Sequence, residues 1–160
     1  MSPDGERKLR IGLQAYPRFL ELAYQLSRRL LLPFSRWMVP GGWIEKIFVV
    51  LEKGAKGAIF DCRMCGDCVL HSTGMTCPMT CPKNMRNGPC GGVRQNGNCE
   101  IIPEMKCVWM QAWNRSKVMR VYGDDFLGIL PPRKGQLQDG SARINDFAGV
   151  AVQDPASWLE

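Results

Sequence analysis

Histidine occurs once in this chain, at His71, so no histidine pair exists to build a ββα zinc finger. A dense basic stripe interleaved with aromatics is also missing, and the two absences together argue against a nucleic-acid-binding protein. No run of eighteen uncharged apolar residues occurs, which argues against a membrane-spanning helix. There is no P-loop and no Gly-x-Gly-x-x-Gly fingerprint, hence no recognisable phosphate cradle. The carboxylates form no paired constellation suited to general acid–base work, and no catalytic residue is assigned. No internal repeat is present. Residues 1–8 are charged and lack the apolar core of a secretory signal. The expectation is a cytoplasmic chain, in which cysteines stay reduced and serve as metal ligands rather than disulfides.

What the chain does have is cysteine, eight of them, all between Cys62 and Cys107. They are Cys62, Cys65, Cys68, Cys77, Cys81, Cys90, Cys99 and Cys107, in the order C-x2-C-x2-C-x8-C-x3-C-x8-C-x8-C-x7-C. This stretch is rich in glycine and poor in aliphatic side chains, so it cannot bury enough apolar surface to fix its own shape. Something covalent or metallic must hold it, and without export a metal is the expected holder. Structural zinc usually takes two well-separated C-x2-C pairs. Here three thiols fall within seven residues, which is how bacterial ferredoxins grip a cubane. The run departs from the ferredoxin pattern after Cys68, although Cys77 and Cys81 are each followed by proline.

Eight thiols match two 4Fe–4S clusters without remainder. Two zinc ions, or one cluster and one zinc, are the alternatives that spacing leaves open. The expected partition is Cys62, Cys65, Cys68 and Cys107 around one centre, and Cys77, Cys81, Cys90 and Cys99 around the other. With so many thiols present, His71 is expected to be solvated or to stand behind the ligands. The formal net charge of +6 counts thiols as neutral. Eight thiolates on two cubanes would bring roughly −4, leaving about +2. Arg63, Lys83, Arg86, Arg94 and Lys106 then read as counter-charge for the site, and an anionic partner is only weakly indicated.

Three segments are expected: a helical segment over 1–57, a cysteine-rich iron–sulfur module over 58–119, and an extended arm over 120–160. Apolar residues recur at helical spacing over 16–34, at Phe19, Leu20, Ala23, Tyr24, Leu26, Leu30, Leu31 and Phe34. Glu21, Gln25, Arg28 and Arg29 fill the opposite face. A second short helix is expected over 43–53, ended by Gly54, with 58–60 extended. A short strand is expected at 99–103, and a helix over 104–119 with Trp109 and Trp113 in the core alongside Tyr122. The fold class is therefore small α+β: a metal-stabilised cysteine-rich core, N-terminal amphipathic helices and an irregular C-terminal arm. Residues 120–160 are apolar yet aperiodic, as an arm laid on another protein would be. Its removal would leave every cysteine in place. The first helix, with its arginine pair and with Trp37 and Trp43, also permits the lesser reading of membrane-surface contact.

Three ordered motifs carry a resemblance. They are Phe60-Asp61-Cys62-Arg63-Met64-Cys65-Gly66-Asp67-Cys68, then Thr76-Cys77-Pro78-Met79-Thr80-Cys81-Pro82-Lys83, then Asn87-Gly88-Pro89-Cys90-Gly91-Gly92. Over about residues 43–120 the chain resembles the small cysteine-rich subunit of bacterial two-subunit methylenetetrahydrofolate reductases. That module is similar to a zinc-finger-like domain named for the reductase's C-terminal region. The resemblance implies a larger partner subunit, a flavin-containing barrel with FMN or FAD that binds folate and transfers hydride. It implies for this chain a non-catalytic role in one-carbon metabolism, passing electrons to that partner or stabilising it. The eight cysteines carry over only as metal ligands. A structural zinc scaffold without redox work is the competing reading.

Overall fold

Pro17 opens a long helix, where its missing N–H costs no hydrogen bond. The computed structural model describes residues 12–151, and helix α1 spans Pro17–Leu31 within it. Arg28 and Arg29 lie in its last turn, where cations suit the helix dipole. Pro33 then enters a 3-10 turn, Leu32–Trp37. After Gly41, in a left-handed conformation at φ 83°, helix α2 runs Trp43–Phe60.

Helix α2 is longer than its sequence suggests. It passes through Gly54 and Gly57 and takes in 58–60, which were expected to be extended. Each glycine weakens a helix by about 1 kcal/mol. That loss is offset within the helix by the Lys56–Glu52 pair at 2.7 Å, four residues apart, and by burial of Phe60. The helix stops only at Asp61, which is left-handed at φ 53° and bonds back to the Gly57 carbonyl at 3.1 Å.

Helix α3, Val108–Ser116, is shorter than expected, and α4, Ala142–Phe147, arises in the segment that lacked periodicity. Ser141 starts α4 by accepting the Ile144 N–H at 3.3 Å. The strand expected at 99–103 does not form. Among the described residues the only β pairing is one antiparallel bridge, Asn98 with Lys106, so the β half of the expected fold class is reduced to that bridge. Glycine and asparagine close the chain too tightly there for a ladder.

Two apolar clusters make the core. One gathers Leu20, Phe60, Leu70, Met75, Cys77 and Met119, with Tyr24, Cys68 and Tyr122 packed against it. The other gathers Val69, Trp109, Ala112 and Leu130, with Cys107 and Phe126 beside it. Trp109 is core as expected, whereas Trp113 stays at the surface.

Helix α1 is turned differently from its pattern. Leu20 and Glu21 are buried, while Phe19, Leu22, Leu26 and Leu30 form an outward stripe. Glu21, expected on the solvent face, instead accepts three backbone N–H groups from residues 120–122. Trp37 and Trp43 are also outward, at 71% and 73% exposure. No helix among the described residues is long and apolar enough to cross a membrane.

Residues 120–151 do not stand off as an arm. Leu130 exchanges two bonds with the Asn87 side chain, at 2.7 and 2.8 Å. Asn145 donates to the Gly66 carbonyl at 2.9 Å, and Ile144 is fully buried. The segment's apolar residues cover this chain's own cysteine loops. The part of the expected arm beyond 151 lies outside the described residues.

Candidate metal centre

The loop that leaves α2 carries Cys62, Cys65 and Cys68. Three of its residues are left-handed: Asp61, Met64 at φ 46° and Gly66 at φ 70°. Their curvature winds the backbone around the thiols and turns the Met64 N–H onto the Cys62 sulfur, at 3.4 Å. Such N–H to sulfur bonds are the usual second layer of a metal–thiolate site. Gly66 is doubly required. A Cβ there would lie 1.7 Å from the Leu137 carbonyl oxygen, besides the strain of its φ. The same loop is clasped by the Asp139 N–H, which donates to the Met64 carbonyl at 2.8 Å.

Cys77 comes to these three through the 3-10 turn Pro78–Thr80, and the four cysteines line one cavity. Its wall also includes Lys56, Glu52, Asp67 and Arg86. Arg86 pairs with buried Asp67 at 2.9 Å and donates to the Pro131 carbonyl at 2.8 Å. Burial pushes the Cys77 thiol up to about 12, with the Cys68 sulfur adding to it. Burial likewise raises Cys62 and Cys65. Burial alone would lower the Lys56 ammonium, but Cys68 and Glu52 beside it leave it raised. Thiols so placed give up their protons only to a strong cation.

The other four cysteines line a second cavity: Cys81, Cys90, Cys99 and Cys107. Cys99 and Cys107 are joined through the tight loop between them. The Cys99 N–H donates to Met105 at 2.8 Å, and the Cys107 N–H donates to Gly97 at 3.0 Å. Cys90 is exposed, and its sulfur lies 3.6 Å from a Glu100 carboxylate oxygen that also pairs with Lys83. Trp109 closes the inner wall, its indole N–H bonded to the Met85 carbonyl at 3.0 Å.

All eight expected cysteines therefore lie around two cavities in two sets of four, but the fourth member of each set is exchanged. Cys77, not Cys107, joins Cys62, Cys65 and Cys68; Cys107 joins Cys81, Cys90 and Cys99. Cys77, just before its 3-10 turn, lines the first cavity, whereas Cys107, at the start of α3, lines the second. Among the described residues no three His, Cys, Asp or Glu side chains converge as they would on a single ion. His71 lines neither cavity. It is buried rather than solvated, stacked on Tyr24 at 5.6 Å and edge-on to Tyr122 at 5.4 Å. Of the charged groups in this wall, the sequence points only to Arg86; Lys56, Glu52 and Asp67 lie next to the thiols only once α2 is extended and the loop closed.

Residues 42–134 match the family described as "Methylene-tetrahydrofolate reductase C terminal". No curated protein matches the chain. No solved structure matches it.

Proposed function

The chain belongs to the methylene-tetrahydrofolate reductase C-terminal family, and from that premise we propose that it is the iron–sulfur subunit of such a reductase. It works beside a larger flavin-containing subunit that binds the folate. The observation that carries this reading is the sorting of eight thiols into two sets of four, each around its own cavity. A zinc ion needs four ligands within about 2.3 Å of one point, while a cubane is gripped at its corners and needs room between the sulfurs. Thiols that share a cavity without converging on one point favour the second case over the first.

Cys62, Cys65, Cys68 and Cys77 would hold one 4Fe–4S cluster; Cys81, Cys90, Cys99 and Cys107 would hold the other. Bound clusters supply one-electron storage. The protein's own part is to hold the thiolates, screen their charge with Lys56 and Arg86, and exclude water with Phe60, Leu70 and Trp109. The outward stripe of α1, with Trp37 and Trp43, is more apolar than a free surface of this size normally presents. It supports a large apolar contact with the partner subunit.

The test is metal analysis of anaerobically purified chain. About eight irons and eight acid-labile sulfides per chain, with brown colour, are expected. About two zincs and no labile sulfide would replace this reading with a structural zinc scaffold.

A further inference from the structure

The ion pairs beside the two thiol sets are arranged differently. At the first cavity Lys56 and Glu52 both stand in the wall, bonded to each other at 2.7 Å. The other oxygen of the Glu52 carboxylate accepts the Ser141 hydroxyl and the Ala142 N–H, each at 3.0 Å. Glu52 is thus held from two sides, and it pins the Lys56 ammonium at the cavity. The two side chains are only 20% and 11% exposed. Lysine is rarely sheltered to this degree, because its flexible stem usually carries the charge out to water.

The Lys56 charge reaches two ligand sulfurs. Burial raises the Cys62 thiol, and Lys56 works against that rise. Burial would lower the Lys56 ammonium, and the Cys68 sulfur works against that fall. The other charges of this wall, Arg86 and Asp67, bond to each other at 2.9 Å. At Cys65, which burial raises, these two act in opposite directions. The second cavity reverses the arrangement. Its charged residues are Lys83 and Glu100, a pair that is 38% and 33% exposed. There it is the carboxylate that meets a thiol, 3.6 Å from the Cys90 sulfur.

We propose that Lys56 sets the reduction potential of the first centre, as a fixed positive charge that favours the reduced state. The inference rests on the iron–sulfur reading above. A centre held by four thiolates becomes more negative when it takes up an electron, and shelter from water makes that gain costly. A cation already pinned at the wall offsets the cost without moving. Lys56 is a positioning charge and not a ligand: no bond forms or breaks around it, and its proton stays in place.

The test is a reductive titration of the anaerobic holoprotein, read by the paramagnetic signals of the two centres. Titanium(III) citrate supplies one electron per titanium and becomes titanium(IV). The signal missing from Cys62→Ser identifies the first centre. In Lys56→Gln the reduction equilibrium of that centre should fall at least about tenfold, which is about 59 mV for one electron. The second centre should stay within about twofold. Lys56→Arg keeps the charge and should hold the first centre within about threefold of the parent. Glu52→Gln removes the counter-charge and should move the first centre the opposite way, toward easier reduction. A merely structural role moves both variants in one direction, so the opposed signs carry the decision.

A first centre unmoved in Lys56→Gln, or moved alike by Lys56→Gln and Glu52→Gln, overturns the assignment. If Lys56→Gln sheds iron, the sign of the shift in Glu52→Gln decides. Loss of iron in both variants also overturns it, and leaves the pair a structural one. A parent protein with zinc and no iron instead overturns the iron–sulfur reading, and this proposal with it; the metal assay tells the two failures apart.

Discussion

Glu21 accepts the backbone N–H of Tyr122 at 2.9 Å, across 101 residues of chain. The N–H groups of Arg120 and Val121 bond to the same carboxylate at 2.9 and 2.8 Å. One buried side chain on α1 thus ties the N-terminal helix to the segment leaving α3. Burial by itself would raise the Glu21 pKa, but the three N–H donors and the Arg120 charge outweigh it, so the carboxyl is held below its usual 4.5.

A pKa lowered on folding contributes stability that is complete above the unfolded value and lost as pH falls through the folded one. The parent protein should therefore lose stability from about pH 5 downward, as this carboxylate protonates. Glu21→Gln should cost about 2 kcal/mol near neutral pH, because charged acceptors make the stronger bonds. The variant's deficit should shrink as the pH approaches about 3. Denaturant unfolding of both proteins at several pH values measures this; a deficit independent of pH would mean that the charge is not what matters.

The exchange of Cys77 and Cys107 between the two sets makes a separable prediction. Cys77→Ser and Cys62→Ser should each damage the same centre, and Cys107→Ser and Cys99→Ser the other. Each single variant should fall from about eight irons toward about four, leaving one paramagnetic signal on reduction. The double variant Cys62→Ser/Cys77→Ser should lose no more iron than either single. If instead Cys62→Ser/Cys107→Ser behaves as one lesion and Cys62→Ser/Cys77→Ser as two, the spatial grouping is wrong.

Eight thiols in 46 residues point to metal ligation in the sequence alone, because they have few other uses. The partition is not plain there. Which thiol is fourth depends on where the turn after Cys77 points and where α3 begins, and both are set by tertiary packing. Helix α1 was legible as a helix, since its period is local, but not in orientation. Its apolar residues outnumber the places inside, and Glu21 takes an inward place because three donors at 120–122 lie opposite it. Gly54 and Gly57 read as a stop because glycine is a poor helix former; packing of Phe60 in the core carries α2 through them.

The outward stripe of α1 predicts the behaviour of the chain alone. Phe19, Leu22, Leu26 and Leu30 contribute apolar surface with nothing over it among the described residues. The isolated chain should aggregate, and co-expression with the flavin-containing subunit should rescue it. Leu22→Gln/Leu26→Gln/Leu30→Gln should raise the solubility of the isolated chain, cost less than about 1 kcal/mol of stability, and abolish co-purification. Binding of the isolated chain to liposomes, with co-purification retained in the triple variant, would assign the stripe to a membrane surface instead.

Truncation before residue 124 gives the sharpest contrast between the arm expected from sequence and the fold. It removes no cysteine, so a free arm predicts unchanged metal content. In the fold, Gly140 and Ala142 form part of the first cavity's wall. Asp139, Gln138 and Asn145 bond to the carbonyls of Met64 and Gly66 on the ligand loop. Leu130 lies in the second core cluster, and Pro131 accepts from Arg86. Deleting residues 124–160 therefore unclasps the loop that carries three thiols and opens its cavity to water and oxygen. About half of the iron should be lost, from the first centre before the second, with hydrogen exchange quickening over 61–70. Iron content that stays whole in the truncated protein would mean that the C-terminal segment rests on the ligand loop without holding it.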